Sequence, residues 1–233
     1  MWQRAYWTRK ERQAEQSNLT HVLRWGKLAA MQTLGLSGET NRRDGWLRSI
    51  FWPTVENAWD VDYLGQQGFW ICVLIAAFQL GFALLTGSML LIALGLPTAL
   101  LYFSGGMGVR EKSWPAAALI CACYLVETLL SVMTGLLLSP MGALKIVFLA
   151  LLVSNLRATF IASEWKPAAE GEDSPQRFNE TWRDKLVDSL PPRLWPLAKI
   201  PFYGLGALWL LFSLLALAGV LLMRLGFLPM RGH

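Results

Sequence analysis

Three ionisable side chains, Glu127, Lys145 and Arg157, stand inside long apolar runs of this 233-residue sequence. Each raises a question of chemistry, because a charge at membrane depth costs roughly 2.5–3.5 kcal/mol on insertion scales. Lys145 lies within one turn of the end of its run and can reach the surface by extending its stem. Arg157 is about two turns from the opposite end of the same run. Glu127 falls near the middle of its own run and has no such escape, so it must be paired, hydrogen-bonded or protonated. Such a carboxylate can clasp helices in register or serve a proton or ion relay, and no chain of titratable neighbours leads away from it. Ser139 and Lys145 could be imagined as a hydrolytic dyad, with nothing beyond one hairpin turn in their spacing to join them.

Other chemistries find no footing. There is no Gly-rich phosphate loop, no triad containing His and no pair of carboxylates at a site. Cys72, Cys121 and Cys123 all lie in apolar runs, without the spacing of a disulfide framework or a zinc site. His21 and His233 lie outside those runs, which excludes a transmembrane haem ligated by two histidines of this chain. No catalytic residue, metal or cofactor is expected.

The elements that carry these residues follow from composition: 54% hydrophobic and 16% charged, against about a quarter charged in soluble domains. This is an all-α membrane chain. No charge occurs from Tyr63 to Val109, 47 residues, about twice what one crossing needs. Two spans are expected there, at 68–86 and 88–104, turning at Thr86, Gly87 and Ser88. The second is short and contains Pro97, which leaves a re-entrant helix open. Further spans are expected from Trp114 to Leu138 and from Gly142 to Ser163, joined by Ser139, Pro140 and Met141 as an antiparallel hairpin. A fifth runs from Ile200 to Met223 between Lys199 and Arg224. If the hairpin centres near Pro140, Glu127 lies level with Val153, and Asn155 and Arg157 are offset by only about 3 and 6 Å. These two are the expected partners of Glu127.

Five spans place the termini on opposite sides. Seventeen Lys and Arg fall on the N-terminal side and only Arg224 and Arg231 on the other, so the N-terminus is expected in the cytoplasm and the C-terminus outside. Trp70, Trp114, Trp165 and Trp195 fall where spans meet that cytoplasmic face, the expected depth of interfacial anchors. Of twelve tryptophans, only Trp209 lies well inside a span. The net charge of +5 is therefore an orientation signal, and nucleic acid is not an expected partner.

Residues 1–62 carry nine basic and seven acidic side chains and no apolar signal region. Residues 19–36 read as a basic amphipathic helix lying on the membrane or on a protein surface, and Arg43 to Trp52 as an interfacial segment stopped by Pro53. After the fourth span, Phe178, Trp182, Leu186 and Leu190 recur every four residues before Pro191-Pro192, which reads as a further surface helix. The acidic patch at Glu170, Glu172 and Asp173 reads as a solvated loop. Small residues at helical spacing, such as Ala77 with Gly81, Gly95 with Ala99 and Ala150 with Ser154 and Ala158, permit close helix contacts.

The expected organisation is an N-terminal cytoplasmic and interfacial segment (1–66), a four-helix membrane bundle (67–163), a cytoplasmic linker with an amphipathic helix (164–198), a fifth transmembrane helix (199–225) and a short external tail (226–233). Phe51-Trp52-Pro53-Thr54-Val55, Gln67-Gly68-Phe69-Trp70, Tyr124-Leu125-Val126-Glu127 and Asn155-Leu156-Arg157-Ala158-Thr159-Phe160, in this order, resemble an uncharacterised group of small bacterial inner-membrane proteins. That group has a polar N-terminal segment and four helices closing on an Asn and Arg stretch followed by Thr-Phe. The resemblance covers about residues 51–160 and implies a bacterial inner membrane and pairing of Glu127 with the stretch from Asn155 to Arg157. It brings no activity with it, and this chain differs in its first hairpin and adds the cytoplasmic helix and fifth span.

The sequence thus reads as a non-enzymatic integral membrane protein, an accessory or scaffold subunit whose partners are the bilayer and a protein at the cytoplasmic face. The alternative is a small transporter or channel component using Glu127, Asn155 and Arg157.

Overall fold

The computed structural model describes residues 46–56, 58–135, 140–164 and 182–225, and these form helices without a strand. A short helix, α1 (Trp46–Phe51), precedes five long ones: α2 (Ala58–Thr86), α3 (Met89–Arg110), α4 (Trp114–Met133), α5 (Pro140–Glu164) and α6 (Trp182–Arg224). All five are long and apolar enough to cross a bilayer, which makes the chain a multi-pass helical bundle. Its outward surface is apolar, with Phe82, Leu85, Met89 and Phe212 all well exposed, as suits contact with lipid rather than water.

The helices close a ring in the order α2, α3, α6, α4, α5 and back to α2, with α3 and α4 also in contact across it. The ends of α2, α3, α4 and α5 alternate between two faces. On the near face stand Ala58, Arg110, Trp114, Glu164 and the N-terminal half of α6; on the far face stand Thr86, Met89, Met133, Pro140 and Arg224. The α2–α3 turn falls at Gly87, whose φ of 64° suits glycine, with its N–H donating to the Leu84 carbonyl. Pro97 sits inside α3 without ending it, and the 22-residue helix is long and apolar enough to cross a bilayer. At the near face α3 ends with Lys112 in the left-handed region (φ 55°) and Ser113 N–H bonded to the Gly108 carbonyl, a Schellman arrangement. Pro115 then opens α4 at once.

Close packing concentrates at the near end of α3. A Cβ at Gly105 would strike Ile120, one at Gly106 would strike Cys72, and one at Gly108 would strike Trp195 and Ala116. This Gly-Gly-Met-Gly stretch therefore touches α2, α4 and α6 at once. Gly68 brings α2 within reach of Asn155 and Val109, whereas Gly81, paired by spacing with Ala77, faces open space.

The largest departure from expectation is α6. A separate surface helix ending at Pro191-Pro192 and a span starting near 199 are instead one 43-residue helix containing Pro191, Pro192, Pro196 and Pro201. At 1.5 Å per residue it is about 64 Å long, twice the hydrocarbon thickness. Each proline withholds one helical N–H. The continuous stripe Val187, Pro191, Trp195, Phe202 and Gly206, all buried against the bundle, holds the helix through them, a case of packing overriding propensity. Of the face read as apolar from spacing, Trp182 is 71% exposed and Leu186 also points outward, while Leu190 packs on the core. The acidic patch, the 19–36 helix and Phe178 lie outside the described residues.

The contrast between two glycines can be measured. Gly68→Ala should lower thermal stability in detergent, since overpacking of about 1–3 kcal/mol exceeds the propensity gain of about 1. Gly81→Ala should be neutral or stabilising by the same unfolding assay.

Candidate functional site at Glu127

Helix α4 is the most enclosed span, and it carries Glu127 to a place where polar groups from all five spans meet. Trp209 of α6 donates its indole N–H to Glu127 Oε1 at 2.9 Å, and Gln79 of α2 donates to Oε2 at 3.4 Å. Tyr102 of α3, fully buried and edge-on to Tyr124 at 5.9 Å, faces the same carboxylate without completing a hydrogen bond. Lys145 of α5 donates to Ser131 Oγ at 2.6 Å, and Ser131 in turn donates to the Glu127 backbone carbonyl at 2.9 Å. The ammonium is close enough for its charge to act on the carboxylate. Each spanning helix thus supplies one side chain to Glu127 or its immediate support.

This differs from the expected cluster. Neither Asn155 nor Arg157 touches Glu127. Asn155 donates to the Leu151 carbonyl of its own helix at 2.9 Å, while its side-chain oxygen faces Gly68 on α2. Arg157 donates to the Pro53 carbonyl at 3.0 Å and stacks on Trp52 at 4.8 Å. The reason is register. Helix α4 ends at Met133, five residues short of the expected Leu138, and α5 begins at Pro140. The midpoint of the hairpin moves from Pro140 to between positions 136 and 137, and each residue of that shift moves the facing residue by two. Glu127 is then level with Ile146 rather than Val153, which brings Lys145 into range and takes Asn155 and Arg157 out. Lys145, expected as an anchor reaching outward, turns inward. Ser139 lies outside the described residues.

A second polar cluster stands at the near face. Arg110 bonds Asp62 of α2 and Asp188 of α6, both at 2.5 Å, and also donates to the Asp62 carbonyl at 3.1 Å. It ties three helices together. Asp60, in the first turn of α2, is fully buried and accepts from the Glu56 N–H at 3.1 Å, where the positive end of the helix dipole favours an acid. Of the expected anchors, Trp114 is 45% exposed and meets Phe160 edge-on, and Trp70 is half-buried against Phe69. Trp195 is not an anchor in lipid: it is 8% exposed and packed in the Gly108 notch beside Phe202 and Tyr203. Trp165 lies outside the described residues.

Chemically, a carboxylate held by two N–H donors with an ammonium nearby is arranged to fasten helices. Among the described residues no group of three or more His, Cys, Asp and Glu side chains stands where a metal could be held. Sequence spacing did not single out Gln79 or Tyr102, whereas Trp209, the lone mid-span tryptophan, carried a signal: an indole N–H in lipid needs an acceptor. No family model matches the chain, and no curated protein or solved structure gives a significant match.

A double-mutant cycle separates the observed from the expected partner. Glu127→Gln with Trp209→Phe should show a coupling of about 0.6–2 kcal/mol in unfolding from detergent. Glu127→Gln with Arg157→Gln should be additive within about 0.5 kcal/mol.

Proposed function

We propose that this chain is a non-enzymatic accessory or scaffold subunit of a bacterial inner-membrane complex, with its working surface on the near face, assigned to the cytoplasm. The observation that carries this reading is the N-terminal half of α6. It continues the fifth span at the near face, where Arg110 fastens it through Asp188 and Trp195 packs it against Gly108. A helix held in this way presents Trp182, Leu186, Leu194, Leu197 and Ile200 outward on a fixed support, as a docking rib would. The seventeen-to-two distribution of Lys and Arg supports the cytoplasmic assignment. The polar site supports it too. Glu127 is engaged by Trp209 and Gln79, and its separation from Asn155 and Arg157 weakens a transport route through those three residues.

Migration on a native gel after mild solubilisation tests the reading. The wild-type chain should run in an assembly well above 26.1 kDa plus its detergent, and Trp182→Ser with Leu186→Ser should release it to the monomer position without lowering its unfolding temperature. A wild-type chain that runs as a lone monomer would overturn the proposal.

A further inference from the structure

Two arginines stand near the near face, and their surroundings are opposite. Arg110 is matched by two carboxylates. Arg157 has none among the described residues: its partners are a carbonyl and an aromatic ring. A guanidinium presents five N–H donors and cannot be neutralised by losing a proton, so a half-buried one without a carboxylate calls for an anion from elsewhere.

Its position says which anion. Asn155, two residues earlier on α5, faces Gly68 inside the bundle, and Arg157 reaches from there to Pro53, in the segment that precedes α2. That is the depth at which hydrocarbon gives way to headgroups. On one side of the guanidinium lies Trp52, 45% exposed and stacked on it; one turn along α5, Phe160 meets Trp114, also 45% exposed. Indoles half in and half out of the protein at this level are characteristic of the membrane interface.

We propose that Arg157, oriented by the Pro53 carbonyl and Trp52, binds the phosphate of an anionic phospholipid headgroup. The remaining guanidinium N–H groups can meet two phosphate oxygens in the planar, bidentate geometry that arginine favours, while the acyl chains run toward the bilayer centre along the face of α5 that carries the exposed Ile146. The shared chemistry is that of any phosphate; the depth and the flanking indoles favour the lipid. This inference rests on the membrane-spanning fold and does not depend on the scaffold role.

Native mass spectrometry of the full chain, purified in a mild detergent and titrated separately with phosphatidylglycerol and phosphatidylcholine, provides the test. Wild-type protein should retain phosphatidylglycerol about tenfold more than Arg157→Gln, the scale of one charge-assisted hydrogen bond, and should prefer it to phosphatidylcholine. Lys199→Gln, which removes an exposed charge on α6, should leave the preference intact. If Arg157→Gln fails to fold, Arg157→Lys should fold and keep a reduced preference, and Trp52→Leu should weaken retention. Equal retention of both lipids by wild type, an effect of Lys199→Gln as large as that of Arg157→Gln, or displacement by millimolar inorganic phosphate would each overturn the proposal.

Discussion

A carboxylate inside an apolar run persists only where N–H groups and a positive charge are brought to it, since its lost hydration is replaced by nothing else. No single helix of this chain can supply both. The donors to Glu127 come from α2 and α6, the nearby ammonium from α5 and the flanking phenol from α3. Meeting the needs of Glu127 therefore fixes the relative depth of all five spans. A one-turn slip of any of them, about 5.4 Å, would remove its contribution.

The consequence is largest for α6. Its far half is the least enclosed of the spans, so apolar packing alone holds it weakly where lipid competes with every neighbour. Polar contacts fasten it at four points: Asp188 to Arg110 at the near face, Tyr203 to Ser113 before α4, Trp209 to Glu127 within the bundle, and Arg224 to the Met133 carbonyl at the far face. Between the first and the third runs the packed stripe from Val187 to Gly206, which carries the helix through its prolines. The rigid rib on the near face is thus an extension of the same fastening that satisfies Glu127.

Much of the architecture was legible in the sequence, because lipid imposes a simple rule: long uncharged runs must be helices that satisfy their own backbones. The five apolar helices and the turn at Gly87 followed from that rule, as did the expectation that Glu127 must find hydrogen-bond partners. Pairing depended on finer quantities. Ending α4 at Met133 rather than Leu138 changed the α5 residue level with Glu127 from the stretch near Asn155 to that of Lys145, which bonds Ser131 beside it, through a doubling of a small boundary error. Gln79 and Tyr102 looked like ordinary interior residues until the ring of helices placed them together. The prolines of α6 were read locally as stops, whereas burial of Val187, Pro191 and Trp195 on one face decided otherwise. Arg157 was expected opposite Glu127, and its actual neighbours, Trp52 and Pro53, belong to a segment whose docking no periodicity reveals.

The central claim is that Glu127 accepts the Trp209 indole proton, and the indole N–H resonances of the protein, labelled with nitrogen-15 at its twelve tryptophans, report on it directly. The signal that disappears in Trp209→Phe should be shifted downfield and exchange slowly with solvent. In Glu127→Gln it should move upfield, while in Arg157→Gln it should stay where it is. A Trp209 resonance that Glu127→Gln leaves unchanged would contradict the account.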